Sequence, residues 1–118
     1  MNLPALTQDL LKFRDERNWA QFHTLRNLIV SLNLEAAELL ELTQWKSDEE
    51  MSVLLDEKGA QESLRDECAD VLLYLLLIAD KAGINLEEAA RRKLEKNATK
   101  YPVDKAYGSS RKYTQLED

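Results

Sequence analysis

The sequence predicts an all-α protein, and three observations support this fold class. Glycine and proline, which interrupt helices most strongly, occur only three and two times among 118 residues. Leucine, alanine and glutamate, which favour helices, are plentiful. Helix-capping residues stand between segments with helical spacing of apolar side chains. A chain of this length suits one domain with a modest core, which we expect to be a four-helix bundle.

The first half of the chain contains two expected helices. The first runs from about Pro4 to Arg17, because proline suits the first turn of a helix. Residues 18–23 form a connector. Thr24 then caps a long second helix that reaches about Gln44.

The next two helices are marked by a capping box and by glycines. Ser47 and Glu50 form a capping box that opens a short helix, which we expect to end at Lys58-Gly59. A long helix follows from about Ala60 to Ala82, and Gly83 is its natural C-terminal stop.

The last long helix begins after Asn85, which is its expected cap, and ends near Thr99, shortly before Pro102. The residues beyond lack helical periodicity. We therefore place a helical domain at residues 1–102 and an extended C-terminal tail at residues 103–118.

The long helix predicted over residues 60–82 is apolar on almost every side between Val71 and Ala79. A buried β-strand is the competing interpretation, but leucine predominates over β-branched residues, which favours a helix. A helix of this kind must be buried all round, and this chain has too few helices to bury it. We therefore expect a homo-oligomer with this helix near its centre. The run is far shorter than the ~18–20 residues of a membrane span, so no membrane association is expected.

Charge and cysteine content bear on partners and location. The net charge is −6 and no basic cluster stands out, so nucleic-acid binding is not expected. The single cysteine, Cys68, excludes an intrachain disulfide, and we expect it to be a small buried residue rather than a reactive thiol. No signal peptide is visible, and a cytoplasmic location is expected.

Two short strings place pairs of carboxylates inside predicted helices. Glu35 and Glu38 are three residues apart, as are Glu67 and Asp70, and this spacing makes each pair neighbours on a helix surface. At about 100° per residue, Glu35 and Glu67 fall within apolar stripes that should face a core. Buried carboxylates without partners are costly. The four side chains therefore predict a divalent-metal site between two facing helices.

The proposed ligands offer only oxygen, which favours Mg²⁺, with Mn²⁺ as the alternative. A di-iron bundle would use Glu-x-x-His motifs, whereas the only histidine, His23, lies outside both strings. Such a magnesium site suits phosphate chemistry. The competing interpretation, ordinary acidic surface positions, is weakened because two matched pairs lie within apolar stripes. Glu41 projects away from the stripe and is expected to face solvent.

Aromatic side chains could form a base pocket beside a phosphate site. Tyr74 lies two turns beyond Glu67 on the same helix face, so periodicity makes it the best placed. Spacing alone does not place Trp19, Trp45 or His23, and aromatic residues at helix ends are commonly core residues.

Several longer strings accompany the carboxylate pairs, at residues 13–23, 26–28, 44–46 and 109–114. Taken together, these strings and the carboxylate pattern are similar to the all-α nucleoside triphosphate pyrophosphatases, the MazG-like superfamily, and within it to the dCTP pyrophosphatase subgroup. A further pattern of this superfamily is matched, in order, by Lys93, Asn97, Lys100 and Pro102. Lys100 stands where arginine is usual. Lysine keeps the positive charge, but it cannot make the paired hydrogen bonds that an arginine guanidinium makes to a phosphate.

This resemblance implies a Mg²⁺-dependent housecleaning enzyme that hydrolyses a nucleoside triphosphate to the monophosphate and pyrophosphate. It implies dCTP or a base-modified dCTP as the substrate, and a tetramer built as a dimer of dimers. Another nucleotide such as dUTP remains an alternative, as does a non-catalytic helical scaffold.

The resemblance also assigns roles to particular residues. Glu35, Glu38, Glu67 and Asp70 would bind the metal, with Glu38 and Glu67 as the catalytic carboxylates, and which carboxylate activates the water stays open. The residues that would line the base and sugar pocket are Trp19, His23, Trp45 and Tyr74, and those that would meet the phosphates or sugar are Lys93 and Asn97.

Overall fold

The computed structural model describes residues 2–116, and every regular element in this range is helical, as predicted. The α-helices are α1 Leu3–Glu16, α2 Leu25–Glu41, α3 Asp48–Leu54, α4 Lys58–Ala82, α5 Leu86–Lys100 and α6 Val103–Ala106. Two 3-10 turns occur at Ala20–Phe22 and Tyr113–Gln115.

The chain forms two compact units, one ending at Gly83 and the other beginning at Ile84. The N-terminal unit contains α1 to α4. Within it, α2 packs along α4, and α1 also contacts α4. The C-terminal unit contains α5 and α6. The functional division proposed at residue 102 stays a prediction.

The start of α2 is stabilised as expected. The Thr24 hydroxyl accepts a hydrogen bond from the backbone N–H of Asn27 at 3.1 Å. The helix ends at Glu41, three residues before the predicted end at Gln44, and turns follow it. Trp45 closes these turns with a φ of 62°, in the left-handed region that bulky residues rarely adopt. The chain therefore changes direction before α3 begins.

The capping box of α3 is present. The backbone N–H of Glu50 donates to the Ser47 hydroxyl at 3.2 Å, and the N–H of Ser47 donates to the Glu50 carboxylate at 3.3 Å. The predicted stop at Lys58-Gly59 is wrong, because α3 ends at Leu54 and both residues belong to α4. The extended backbone of Glu57 forms the boundary between the two helices.

The end of α4 follows the prediction. Gly83 adopts a φ of 68°, and this left-handed conformation, which glycine adopts without strain, stops the helix. Asn85 then caps α5 by accepting a hydrogen bond from the N–H of Glu88 at 3.1 Å.

The segment after α5 differs from the expected extended tail. It contains α6 and a 3-10 turn, and Tyr113 returns to the end of α5. The rings of Tyr101 and Tyr113 meet edge to face with centroids 6.1 Å apart. The Lys100 ammonium lies 4.8 Å from the Tyr113 ring centroid. These contacts close a loop over residues 102–112.

The hydrophobic core of the described chain is small. It consists of Leu28, Leu54, Leu76, Leu77 and Ala79. Large apolar side chains remain exposed along α2, and they are Leu25, Ile29, Val30, Leu34 and Leu40. Between residues 2 and 116, no helix has the length and apolar character needed to cross a membrane.

Cys68 is exposed, so the prediction of a buried cysteine is wrong. It directly follows Glu67 and is therefore turned by about 100° from the stripe that faces α2.

Candidate metal centre and adjoining pocket

The packing of α2 along α4 brings three of the predicted metal ligands together. Glu35, Glu38 and Glu67 each offer one oxygen, and these oxygens all lie within 4.8 Å of one another. Glu35 and Glu38 are one turn apart on α2, and Glu67 comes from α4. The cluster therefore depends on the contact between the two helices that form the main packing of this unit.

Asp70, the fourth predicted ligand, lies one turn after Glu67 on α4 and is half-buried. It is outside the group of three converging oxygens. Its negative charge nevertheless acts on the cluster, because it helps to raise the pKa of both Glu35 and Glu67. Asp70 thus belongs to the same electrostatic site.

Two oxygens of this cluster lack the partners that buried polar atoms normally have. Oε2 of Glu35 and Oε2 of Glu67 are buried, and neither has a hydrogen-bond partner within the described residues. The side chain of Glu38, by contrast, is exposed.

The pKa values of the two half-buried glutamates reflect this crowding. Burial is the largest cause that raises the pKa of Glu35, followed by hydrogen bonding to Glu38 and the charges of Glu38, Asp70 and Glu67. Burial also leads the causes that raise the pKa of Glu67, followed by hydrogen bonding and charge from Glu38. Ionising all of these groups together is therefore unfavourable without a compensating cation.

The donor set fits a hard divalent cation. The converging atoms are all carboxylate oxygens, the type of ligand that Mg²⁺ and Mn²⁺ prefer. A cation bound by these carboxylates would favour their ionised form, and its charge would offset the cost of burying the Oε2 atoms of Glu35 and Glu67.

A cavity of about 280 Å³ lies in the same unit. Its lining residues are Trp19, Phe22, His23, Asn27, Leu28, Ser31 and Tyr74. On α2, Ser31 lies one turn before Glu35, and on α4, Tyr74 lies one turn after Asp70. Both helices therefore lead directly from the carboxylate cluster into this pocket.

His23, which lines the pocket, has one ring nitrogen in an unusual environment. Its Nδ1 is buried and has no hydrogen-bond partner in the described part of the chain. Burial lowers the pKa of His23, and the positive charge of Arg14 lowers it further. The lowered pKa favours the neutral imidazole, in which one of the two ring nitrogens can accept a hydrogen bond.

The structure brings Trp19, His23 and Tyr74 into one pocket, whereas spacing alone had placed only Tyr74. Sequence reasoning did not single out Phe22, Asn27 and Ser31. Phe22 and Asn27 lie in strings that supported the family resemblance, and the Asn27 side chain donates to the Phe22 carbonyl at 3.0 Å. Ser31 had no distinguishing signal beyond its helical spacing from Glu35.

Trp45 is not part of this pocket, and its side chain is 91% exposed. The alternative that Trp45 is a core residue is therefore wrong for the isolated chain, while its role in binding substrate stays a prediction. Glu41 is exposed, as expected. Lys93 and Asn97 lie on α5 in the C-terminal unit, with Lys93 exposed and Asn97 half-buried. Their contact with phosphate or sugar also stays a prediction.

Comparison with known proteins identifies similar chains. The MazG-like family matches residues 30–116. Proteins named dCTP pyrophosphatase 1 from Rattus norvegicus and Homo sapiens are each 41% identical over 105 residues, which is 89% of this chain. The chain spans 62% of the length of these curated relatives. A solved pyrophosphatase structure from Archaeoglobus fulgidus is 45% identical with a TM-score of 0.80, and the match covers 86% of this chain and 94% of that one.

Proposed function

The chain belongs to the MazG-like family, and from that premise we propose that it is a Mg²⁺-dependent nucleoside triphosphate pyrophosphohydrolase. The proposed substrate is dCTP or a base-modified dCTP, and the products are the monophosphate and pyrophosphate. The observation that carries this proposal is the convergence of Glu35, Glu38 and Glu67, two of which keep a buried oxygen that no group in residues 2–116 bonds. The names of the similar proteins support the reaction class.

In this proposal Glu35, Glu38, Glu67 and Asp70 hold the metal. Bound there, Mg²⁺ would neutralise phosphate charge and polarise water. Glu38 and Glu67 are the proposed catalytic carboxylates. Because Glu38 is the most exposed member of the converging group, we assign its carboxylate the role of accepting the water proton. The water oxygen bonds to the α-phosphorus, the bond to the bridging oxygen breaks, and pyrophosphate leaves.

The neighbouring pocket would hold the base. Trp19 and Tyr74 provide aromatic surfaces, and the His23 imidazole, which also lines the cavity, provides a polar group. A cavity of about 280 Å³ is close to the lower limit of ordinary ligand pockets. The proposed roles of Trp45 at the base, and of Lys93 and Asn97 at the phosphates or sugar, follow from the family resemblance.

We further propose that the protein is a homo-oligomer, a tetramer arranged as a dimer of dimers, and that it acts in the cytoplasm. Exposed apolar side chains along α2 support self-association. A free, exposed Cys68 fits a reducing compartment. We assign it no nucleic-acid or membrane partner.

Two other functions compete with this one. The same chemistry on dUTP would use the same carboxylates. A non-catalytic scaffold is less consistent with the structure, because it would have no use for clustered carboxylates with orphaned buried oxygens.

A substrate panel separates these functions. The full chain is incubated with dCTP, 5-methyl-dCTP, dUTP, dTTP or dATP, with Mg²⁺ or with EDTA, and pyrophosphate release is measured over a range of substrate concentrations. We expect the highest kcat/KM with dCTP or 5-methyl-dCTP and no release with EDTA. A higher kcat/KM with dUTP would reassign the substrate. No hydrolysis of any nucleotide with Mg²⁺ or Mn²⁺ would favour the scaffold.

A further inference from the structure

Three side chains form a stack at the end of α1, and the last of them lines the pocket. The Phe13 and Trp19 rings meet edge to face, with centroids 5.7 Å apart and planes at 75°. The Arg17 guanidinium carbon lies 3.7 Å from the Phe13 ring centroid and 6.0 Å from that of Trp19. We call this group, Phe13, Arg17 and Trp19, the Arg17 stack.

Arg17 is fixed at both ends of its side chain. Its backbone caps the C-terminus of α1, with its N–H bonded to the Arg14 and Asp15 carbonyls. Its Nη1 donates to the Phe13 carbonyl at 2.9 Å and lies 3.9 Å from the Glu16 carboxylate. The guanidinium is therefore held over the Phe13 ring by the helix end itself.

The backbone of Trp19 is also fixed, but its indole is not enclosed. The backbone N–H of Trp19 donates to the Arg14 carbonyl at 3.1 Å. The preceding residue, Asn18, turns the chain with a φ of 53°. The Trp19 side chain nevertheless remains 44% exposed. The indole meets the Phe13 ring and also lines the pocket.

We propose that Arg17 is a positioning residue that holds the Trp19 indole against the pocket. The guanidinium attracts the faces of aromatic rings, and Phe13 passes this restraint to the indole through their edge-to-face contact. A pocket wall that is already oriented costs less entropy to order when a flat ligand binds. The effect on ligand affinity rests on the proposed function, whereas the restraint on the indole does not.

Fluorescence of Trp19 tests the restraint without any substrate. The chain has two tryptophans, so Trp45→Phe leaves Trp19 as the only one. In this background we expect Arg17→Met to lower the steady-state anisotropy of Trp19 and to increase its quenching by acrylamide. Arg17→Lys, which keeps the charge, should give a smaller change and serves as the second variant if Arg17→Met does not fold.

Lys12→Met is the matched control. Lys12 lies 3.8 Å from the same Glu16 carboxylate, so its loss removes an ion pair of similar length without touching the Arg17 stack. We expect the Trp19 signals of this variant to equal those of its background. Equal signals in Arg17→Met, or an equal change in Lys12→Met, would overturn the proposal.

Kinetics with the native Trp45 then test the effect on the ligand. Arg17→Met should raise the KM for dCTP by about two- to five-fold, the range of a partly exposed cation–π contact, with kcat unchanged. A fall in melting temperature with KM unchanged would reduce Arg17 to a structural residue and overturn the proposal. If the native protein hydrolyses no nucleotide, the proposed function fails, and the fluorescence measurement alone decides the role of Arg17.

Discussion

At the scale of single residues, Glu35 and Glu67 conflict with the usual rules for buried polar groups. Each keeps an oxygen buried without a partner in the described range, and each has a raised pKa because of burial and neighbouring carboxylates. Such groups oppose folding at neutral pH, since the folded state disfavours the ionised form that the unfolded chain adopts. Proteins keep features of this kind mainly at functional sites.

Glu67→Gln tests the metal site directly. The change keeps the size of the side chain but removes one of the charges that would hold Mg²⁺. We expect turnover to fall at least ~100-fold, because the charge stabilisation supplied by a bound metal amounts to several kcal/mol. Without metal, the variant should be as stable as the native protein, or more so, in thermal unfolding.

Glu41→Gln is the matched control for this experiment. Glu41 lies on α2, the helix that supplies Glu35 and Glu38, but it is exposed and outside the carboxylate cluster, so its substitution should leave turnover near the native value. A folded Glu67→Gln protein with near-native activity would remove the proposed site.

His23 gives a prediction about pH. Burial, and then the charge of Arg14, lower its pKa from the ordinary value of 6.5. As the pH falls below 6.5, His23 therefore takes up a proton more readily in the unfolded chain than in the folded one. The contribution of His23 to the free energy of unfolding is complete above pH 6.5, and it decreases as the pH falls toward the lower pKa of the folded state. His23 is the only histidine, so NMR titration of its imidazole is unambiguous. We expect a midpoint below 6.5, which Arg14→Gln moves upward, and a midpoint at or above 6.5 would contradict this account.

At the scale of the helices, local signals explain what the sequence could predict. The caps at Thr24, Ser47 and Asn85 each accept a hydrogen bond from a backbone N–H three residues later. Both partners of each cap therefore lie within one short stretch of sequence, where the motif can be recognised. The same is true of the carboxylate pairs, whose spacing alone makes each pair neighbours on a helix. Only the convergence of α2 with α4 had to be inferred from apolar stripes.

The features that depend on tertiary structure were harder to predict. The end of α2 at Glu41 and the left-handed turn at Trp45 follow from the path of the chain toward α3, which no short motif encodes. The pocket combines the 3-10 turn before α2 with residues of α2 and α4, so Phe22 and Ser31 could not be assigned from spacing. Cys68 shows the limit of composition rules, because a residue type that is usually buried lies here on an exposed helix face.

At the scale of the whole molecule, the isolated chain buries few of its large apolar side chains. Leu34 and Leu40 on α2 are 61% and 68% exposed, and Leu25, Ile29 and Val30 on the same helix are also exposed. A folded chain of this kind gains stability when copies cover such surfaces. This is the physical basis of the proposed assembly.

Light scattering coupled to size exclusion tests the assembly at micromolar concentration. We expect a particle of four times the 13.6 kDa chain mass. Leu34→Lys should shift the population toward smaller species, because it places a charge on an exposed apolar position of α2. Gln8→Lys, at an exposed position on α1, is the matched control and should leave the mass unchanged. A stable and active native monomer would contradict the proposed assembly.

The position of the bond that is cleaved tests the central claim most directly. The native chain is incubated with dCTP and Mg²⁺ in water enriched in oxygen-18, and the products are separated and weighed by mass spectrometry. If the carboxylate cluster directs water to the α-phosphorus, the label appears in dCMP and the pyrophosphate carries none, while the Glu67→Gln protein forms little of either product. Label in pyrophosphate, release of dCDP with orthophosphate, or no hydrolysis of dCTP would contradict this account.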